Sequence, residues 1–225
     1  MSSRTPCTPV RPCLRRLHRI PEIEAHNLRP DPSCPALTGG NMSILPQLGG
    51  VMIRPVSLCE GVGHTFSARD ETGRLVGFLC LTLPGQLILS TEEMRQCGMY
   101  EYLATLSPEG RRYFTETVAV RFSELTDEVL GIPEVQRKAY WCNAAMVRED
   151  WQGKGLGKAM FQLAFREAAK LGAAVALSTT NARNVAIYEK IGFECKGTRP
   201  MPSPWGDWNI WYFYRDSVSA EATPA

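Results

Sequence analysis

The chain predicts an α/β domain built on a mixed sheet, and three patterns carry that prediction. A glycine-dense basic turn, Gln152-Gly153-Lys154-Gly155-Leu156-Gly157-Lys158, lies between an apolar run, Ala144-Ala145-Met146-Val147, and an amphipathic one. In the latter Leu156, Met160, Leu163, Ala164 and Ala168 recur at three- and four-residue spacing, the stripe of a helix. Residues 66–70 and 75–82 flank Glu71-Thr72-Gly73-Arg74, which reads as a β-hairpin with a glycine turn. Residues 205–215 alternate and are rich in aromatics, as a final strand would be.

Taken in order, residues 1–50 read as a proline- and arginine-rich extension. Arg4, Arg11, Arg15, Arg16 and Arg19 precede the first acid, Glu22, while Pro6, Pro9, Pro12 and Pro21 oppose a regular helix. Disorder is the expectation there, with organelle import as the lesser alternative to a cytoplasmic protein. A folded domain is expected over 51–225, with Met52-Ile53-Arg54-Pro55 as its first strand ahead of the hairpin. Leu83-Pro84-Gly85 ends the strand after the hairpin turn, and residues 85–138 read as a helical insertion. One stripe there is Met94, Tyr100, Leu103 and Leu106. A clearer one is Phe114, Val118, Phe122 and Leu125, opened by Ser107-Pro108-Glu109 as cap and first turn. A strand from Tyr140, the basic turn, its helix and a strand over 174–180 follow. A short helix then leads to Gly192-Phe193, which opens the next strand.

A net charge of +2 is too small to argue for nucleic acid or a membrane surface. The eight cysteines contain no Cys-x-x-Cys, and the three histidines have no metal-ligand spacing with them. The pattern suits free thiols in a reducing compartment and no metal site. No apolar run approaches the roughly 20 residues of a membrane-spanning helix.

The basic turn carries the chemistry. A helix that opens on glycines leaves its first N–H groups free and presents the positive end of its dipole. With Lys154, Lys158 and Arg148 nearby, this is a site for a pyrophosphate. It is not a P-loop, because Ala159 stands where Ser or Thr is needed. It is not a dinucleotide fingerprint either, because its glycines alternate and the next strand ends in Ser178-Thr179-Thr180 without a carboxylate.

Gln152-x-x-Gly155-x-Gly157, followed by Asn181-Ala-Arg-Asn184-Val-Ala-Ile-Tyr188-Glu-Lys-Ile-Gly192-Phe193, resembles the GCN5-related N-acetyltransferase (GNAT) family. The resemblance runs from about Tyr140 to Arg215, with the acetyl-CoA-binding core at about 140–195. It implies a GNAT acyl-CoA N-acyltransferase fold with a helical insertion. The long insertion between the third and fourth strands is similar to that of a group found in filamentous fungi. The resemblance further implies that Gln152, Gly153, Lys154, Gly155, Leu156, Gly157 and Lys158 hold the pyrophosphate. By the same token the backbone of Ala145, Met146 and Val147 holds pantetheine, and Asn181, Asn184 and Tyr188 lie along the cofactor arm. Tyr188 becomes the catalytic acid for the departing thiolate: a phenol with an ordinary pKa near 10 can give a proton without being ionised at neutral pH.

The implied activity is transfer of an acetyl group from acetyl-CoA, as cosubstrate, to a primary amine of a small molecule or a protein by direct attack. The alternative is a non-catalytic acyl-CoA-binding module. The expected partners are acetyl-CoA and the amine, with no nucleic acid or membrane, in a monomer or homodimer. The strand around Asn143 lacks a carboxylate, so the general base is open among Glu92, Glu93, Glu101, Glu116, Glu124 and His64.

Overall fold

The computed structural model describes residues 8–9 and 31–217. A single mixed sheet runs in the order β1-β2-β3-β4-β5-β7-β6. Its strands are β1 (Thr8–Pro9), β2 (Gly63–Arg69), β3 (Leu75–Thr82), β4 (Tyr140–Val147), β5 (Val175–Thr179), β6 (Glu194–Met201) and β7 (Trp208–Arg215). The hairpin forms as expected. Asp70 accepts bonds from the Thr72 and Arg74 amides at 3.0 and 2.9 Å, while Gly73 takes the left-handed conformation the turn requires (φ 80°).

The N-terminal segment departs from expectation. Residues 31–50 are part of the folded domain, with helices α1 (Cys34–Leu37) and α2 (Leu45–Leu58). The boundary at 50 and the strand at Met52–Pro55 therefore give way to one helix that crosses both. Its period was masked because it is buried on two sides. Leu45, Leu48 and Val51 pack against Tyr102 and Leu106 from the helices that follow β3, whereas Ile53 and Val56 pack on Phe78, Cys80 and Ala144 of the sheet. A helix apolar nearly all round has no polar face to mark its period, and Gly49, Gly50 and Pro55 further obscure it. The expected disorder of residues 1–30 lies outside the described residues, apart from the two-residue ladder Thr8↔Ser67 and Pro9↔Phe66.

The β3–β4 connection is helical, as read: α3 (Glu92–Gln96), α4 (Met99–Thr105), α5 (Pro108–Arg112), a π-helical segment (Tyr113–Val118), α6 (Ala119–Leu130) and α7 (Val135–Lys138). Ser107 caps α5 by accepting from the Gly110 amide at 3.1 Å. In the first stripe Tyr102 is the buried ring and Tyr100 is exposed, contrary to the predicted register. Trp208 donates to the Tyr113 hydroxyl at 3.2 Å and is buried beside it, so this C-terminal aromatic packs the core.

Two helices cover the opposite face: α8 (Leu156–Leu171) and α9 (Val185–Ile191). The largest core cluster sits beneath them, with Met160, Phe161, Ala164 and Phe165 against Leu79, Leu81, Leu177 and Phe213. Burying rings and branched chains of this size contributes about 1.5–3 kcal/mol each.

Candidate functional site

β4 is the strand around which the site forms. Its first three residues pair in parallel with β5, Tyr140↔Val175 through Cys142↔Leu177, and there the ladder stops. β4 continues to Val147 along β3 alone. The point of separation coincides with a bulge. Cys80 opposes Ala144 and Leu81 opposes Cys142, so Asn143 is the extra residue. Its side chain folds back, donating to the Trp141 carbonyl at 3.2 Å and the Thr82 hydroxyl at 3.3 Å.

Register determines which backbone groups face the gap. The Arg148 amide donates to the Val76 carbonyl at 2.9 Å. Alternation along an antiparallel pair then turns the amides of Met146 and Ala144 toward β3, and those of Ala145 and Val147 toward the open side. The Val147 carbonyl accepts from the Gln152 side chain at 3.0 Å, which ties the basic turn to the strand end. Of the three backbone positions expected to meet pantetheine, Ala145 and Val147 face the opening. Met146 turns its amide away and packs its side chain near Phe78.

The turn itself matches its predicted form. Gly153 and Gly155 are left-handed (φ 72° and 79°), and a Cβ at either would meet nothing within 4 Å. Glycine here answers a backbone requirement and leaves an open surface. The first bond of α8 runs from the Ala159 amide to the Gly155 carbonyl, and no side chain caps the helix. The amides of Leu156, Gly157 and Lys158 therefore point out of the helix end, with no acid in the first turn. Lys154 lies 4.5 Å above the Trp151 ring, and Lys158 is exposed. Arg148 is not a free cation: its guanidinium grips Asp150 in two bonds of 2.6 and 2.7 Å.

Across the gap, Asn181 caps the next turn by accepting from the Arg183 amide at 3.0 Å, and Asn184 donates to the Thr179 hydroxyl at 2.9 Å. Tyr188 projects from α9 into an aromatic cage, edge-on to Phe161 (5.8 Å) and Phe193 (6.0 Å) and tilted on Phe213 (5.3 Å). Burial pushes its phenol well above the usual range, and Cys142 and Asp31 add to the shift. A phenol held protonated this way is a donor at any physiological pH. Among the described residues its hydroxyl has no hydrogen-bond partner. Burial likewise pushes the Cys142 thiol up, which makes it a poor nucleophile.

The base candidates sort by position. His64 is engaged with the Tyr140 hydroxyl at 2.8 Å, at the far end of β4. Glu101 pairs with Arg54, and Glu92 with Arg95. Glu93, Glu116 and Glu124 are exposed. A carboxylate that sequence reading passed over does reach the site. Asp31 accepts from the Thr180 hydroxyl at 2.6 Å, just past the end of β5. The signal was Asp31-Pro32-Ser33 ahead of a short helix, a turn-and-cap pattern hidden in a proline-rich stretch. A separate cavity of about 220 Å³, lined by Ile132, Val135, Lys138 and Tyr214 among others, lies at the opposite ends of β4 and β5 and gathers none of these groups.

The acetyltransferase (GNAT) domain family matches residues 115–195 of the chain. The whole fold is that of GNAT acetyltransferase structures. A mosquito arylalkylamine N-acetyltransferase-like protein superposes with TM-score 0.56 at 16% identity, over 94% of this chain and 100% of its own. The protein smu.2055 from Streptococcus mutans gives 0.53 at 14%, over 94% and 99%. NAA60 from Arabidopsis thaliana, in complex with a bisubstrate analogue, gives 0.51 at 14%, over 94% and 97%. No curated protein matches the sequence. The structural neighbours thus include N-acetyltransferases, and the matched domain is an acetyltransferase domain.

Proposed function

We propose that the protein is an acetyl-CoA-dependent N-acetyltransferase that delivers an acetyl group to a primary amine by direct attack. The observation that carries this reading is the gap between β4 and β5, which opens at Asn143 and is flanked by an uncapped glycine-rich helix start on one side and Tyr188 on the other. The residues present suit the cosubstrate. The outward amides of Leu156–Lys158 with Lys154 and Lys158 complement a pyrophosphate. The strand edge at Ala145 and Val147 offers an amide and a carbonyl ladder to the peptide-like pantetheine arm, in the manner of an added strand.

Within that arrangement this chain does three things. The backbone donors of β4 stabilise negative charge that develops on an acyl oxygen. The strand edge fixes the thioester within reach of the amine. The Tyr188 phenol gives its proton to the leaving sulfur. The long helical β3–β4 connection supports a likeness to the filamentous-fungal group. The alternative of a non-catalytic acyl-CoA-binding module draws on one observation, that β4 carries no carboxylate at the gap.

Calorimetric titration with acetyl-CoA and with CoA, for the wild type and Gly155→Asp, tests the reading. Saturable binding by the wild type that the variant abolishes supports the site. Absence of binding by the wild type rejects it. Binding without thiol release in the presence of primary amines favours the module.

A further inference from the structure

Two strands that separate leave two faces. On the α8/α9 face lie Ala145, Val147 and Leu177, in the same apolar cluster as Tyr188. The other face carries Ala144 and Met146, packed toward α2. Alternation places Ser178 on that second face too, because Leu177 belongs to the first, and Thr180 follows just past the end of β5. Asn143 reaches the same side, since its amide meets Thr82 two residues beyond Cys80. Here the N-terminal segment enters. Asp31 Oδ1 accepts three bonds, from the Ser33 amide (3.0 Å), the Ser33 hydroxyl (2.7 Å) and the Thr180 hydroxyl (2.6 Å). No hydrogen bond engages Oδ2 among the described residues, and Asp31 is half-buried.

The position is built rather than incidental. The Asp31–Thr180 bond joins residues 149 apart in sequence, and Ser33 approaches the same hydroxyl at 3.4 Å. Of the titratable groups, Cys142 and Asp31 both act on the Tyr188 phenol, adding to the upward push of burial. The phenol and the Cys142 thiol are held neutral by burial. Asp31 is the carboxylate among them. An acceptor amine arrives as a cation and must lose a proton before it can attack. A carboxylate with one oxygen fixed and the other without a partner among the described residues is suited to receive it.

We propose that Asp31 is the acceptor-side catalytic residue: its second carboxylate oxygen, Oδ2, binds the substrate ammonium and takes its proton, directly or through one water. This inference rests on the acetyl-CoA reading above. The step balances as follows. R–NH₃⁺ gives one proton to the Asp31 carboxylate, and the neutral nitrogen attacks the thioester carbonyl. The C–N bond forms and the C–S bond breaks. The sulfur receives a proton from Tyr188, and the nitrogen's second proton restores the phenol. The Asp31 proton passes to solvent, so one acetyl group is transferred and one proton is released.

Asp31→Asn keeps the Oδ1 acceptor for Ser33 and Thr180 and removes only the charge. Thr180→Val does the reverse, deleting one donor and keeping the carboxylate. The test is thiol release from saturating acetyl-CoA against millimolar phenethylamine or spermidine across pH, with acetyl-CoA affinity measured alongside. We expect Asp31→Asn to bind acetyl-CoA as the wild type does and to lose about a hundredfold or more in kcat/KM for the amine at pH 7. The loss should shrink as pH rises toward the amine's own pKa, about 10, where no base is needed. Thr180→Val should retain at least about a tenth of the rate. An unchanged rate in Asp31→Asn, a pH-independent loss, or an equal loss in Thr180→Val overturns the assignment, as does a wild type that binds acetyl-CoA but acetylates neither amine. Failure of the wild type to bind acetyl-CoA at all overturns the cosubstrate reading instead, and is told apart by the titration.

Discussion

The two sides of the proposed site are made in opposite ways. The proposed cofactor wall is continuous in sequence: β4, the glycine turn, α8, β5 and α9 follow one another from Tyr140 to Ile191. It presents mainly backbone, through the amides after Gly155 and the free edge at Ala145 and Val147. The opposite wall is assembled from distant pieces. Asp31 and Ser33 come from the N-terminal segment, Thr82 from β3, Asn143 from the bulge and Thr180 from β5, and all of them act through side chains. A wall for a constant ligand can be built from main chain, which tolerates change in side chains. A wall for a particular acceptor needs particular side chains, and the fold brings them together late.

Substitutions that strike one wall and spare the other can break that contrast. The largest effect is expected from Gly155→Asp, which places a side chain at φ 79° and a negative charge at the helix start. Strain of about 1–2 kcal/mol and charge repulsion should together raise the acetyl-CoA Kd by two orders of magnitude or more, measured by calorimetry. Next, Tyr188→Phe should lower kcat by about a hundredfold in a thiol-release assay and leave the acetyl-CoA Kd within about twofold; an unchanged kcat would remove Tyr188 from the acid role.

On the assembled side, Ile53→Ala in α2 should destabilise the whole domain by about 2–5 kcal/mol, read from denaturant unfolding. A loss near zero would mean that residues 31–58 dock on the domain without being part of its core. The mildest change is Asn184→Ala. It removes the 2.9 Å bond to Thr179 and should cost about 1 kcal/mol of stability.

A pH series sharpens the same picture from the side of stability. Burial, then the neighbouring Cys97, pushes the Cys59 thiol from 9.0 up to about 12, and burial pushes the Tyr212 phenol from 10.0 up to about 12. Above pH 9 the unfolded chain releases protons that the folded one keeps, so stability is full below that value and declines as pH rises toward 12. The melting temperature should fall across this window, and fall less steeply in Cys59→Ala. An equal slope in that variant would exclude the thiol as a contributor.

The sequence by itself determined the local elements of the fold from Tyr140 onward, including the glycine turn proposed to hold the cofactor. Its glycine spacing, the stripe of α8, the hairpin and the aromatic final strand are local patterns, each set by backbone geometry or helical period within a dozen residues or so. The cap at Ser107 was legible for the same reason, as was the helical nature of the β3–β4 connection. Tertiary structure decided the rest. α2 was unreadable because it is sandwiched between the sheet and the helices after β3, and a helix buried on both sides shows no amphipathic period. The π-helical turn at Tyr113–Val118 and the bulge at Asn143 depend on how neighbouring elements meet. The orientation of Met146's amide follows from strand register, which no single segment encodes. Asp31 was out of reach for the simplest reason: its partner Thr180 is 149 residues away, and only the folded chain brings a lone carboxylate in a proline-rich stretch against the end of β5.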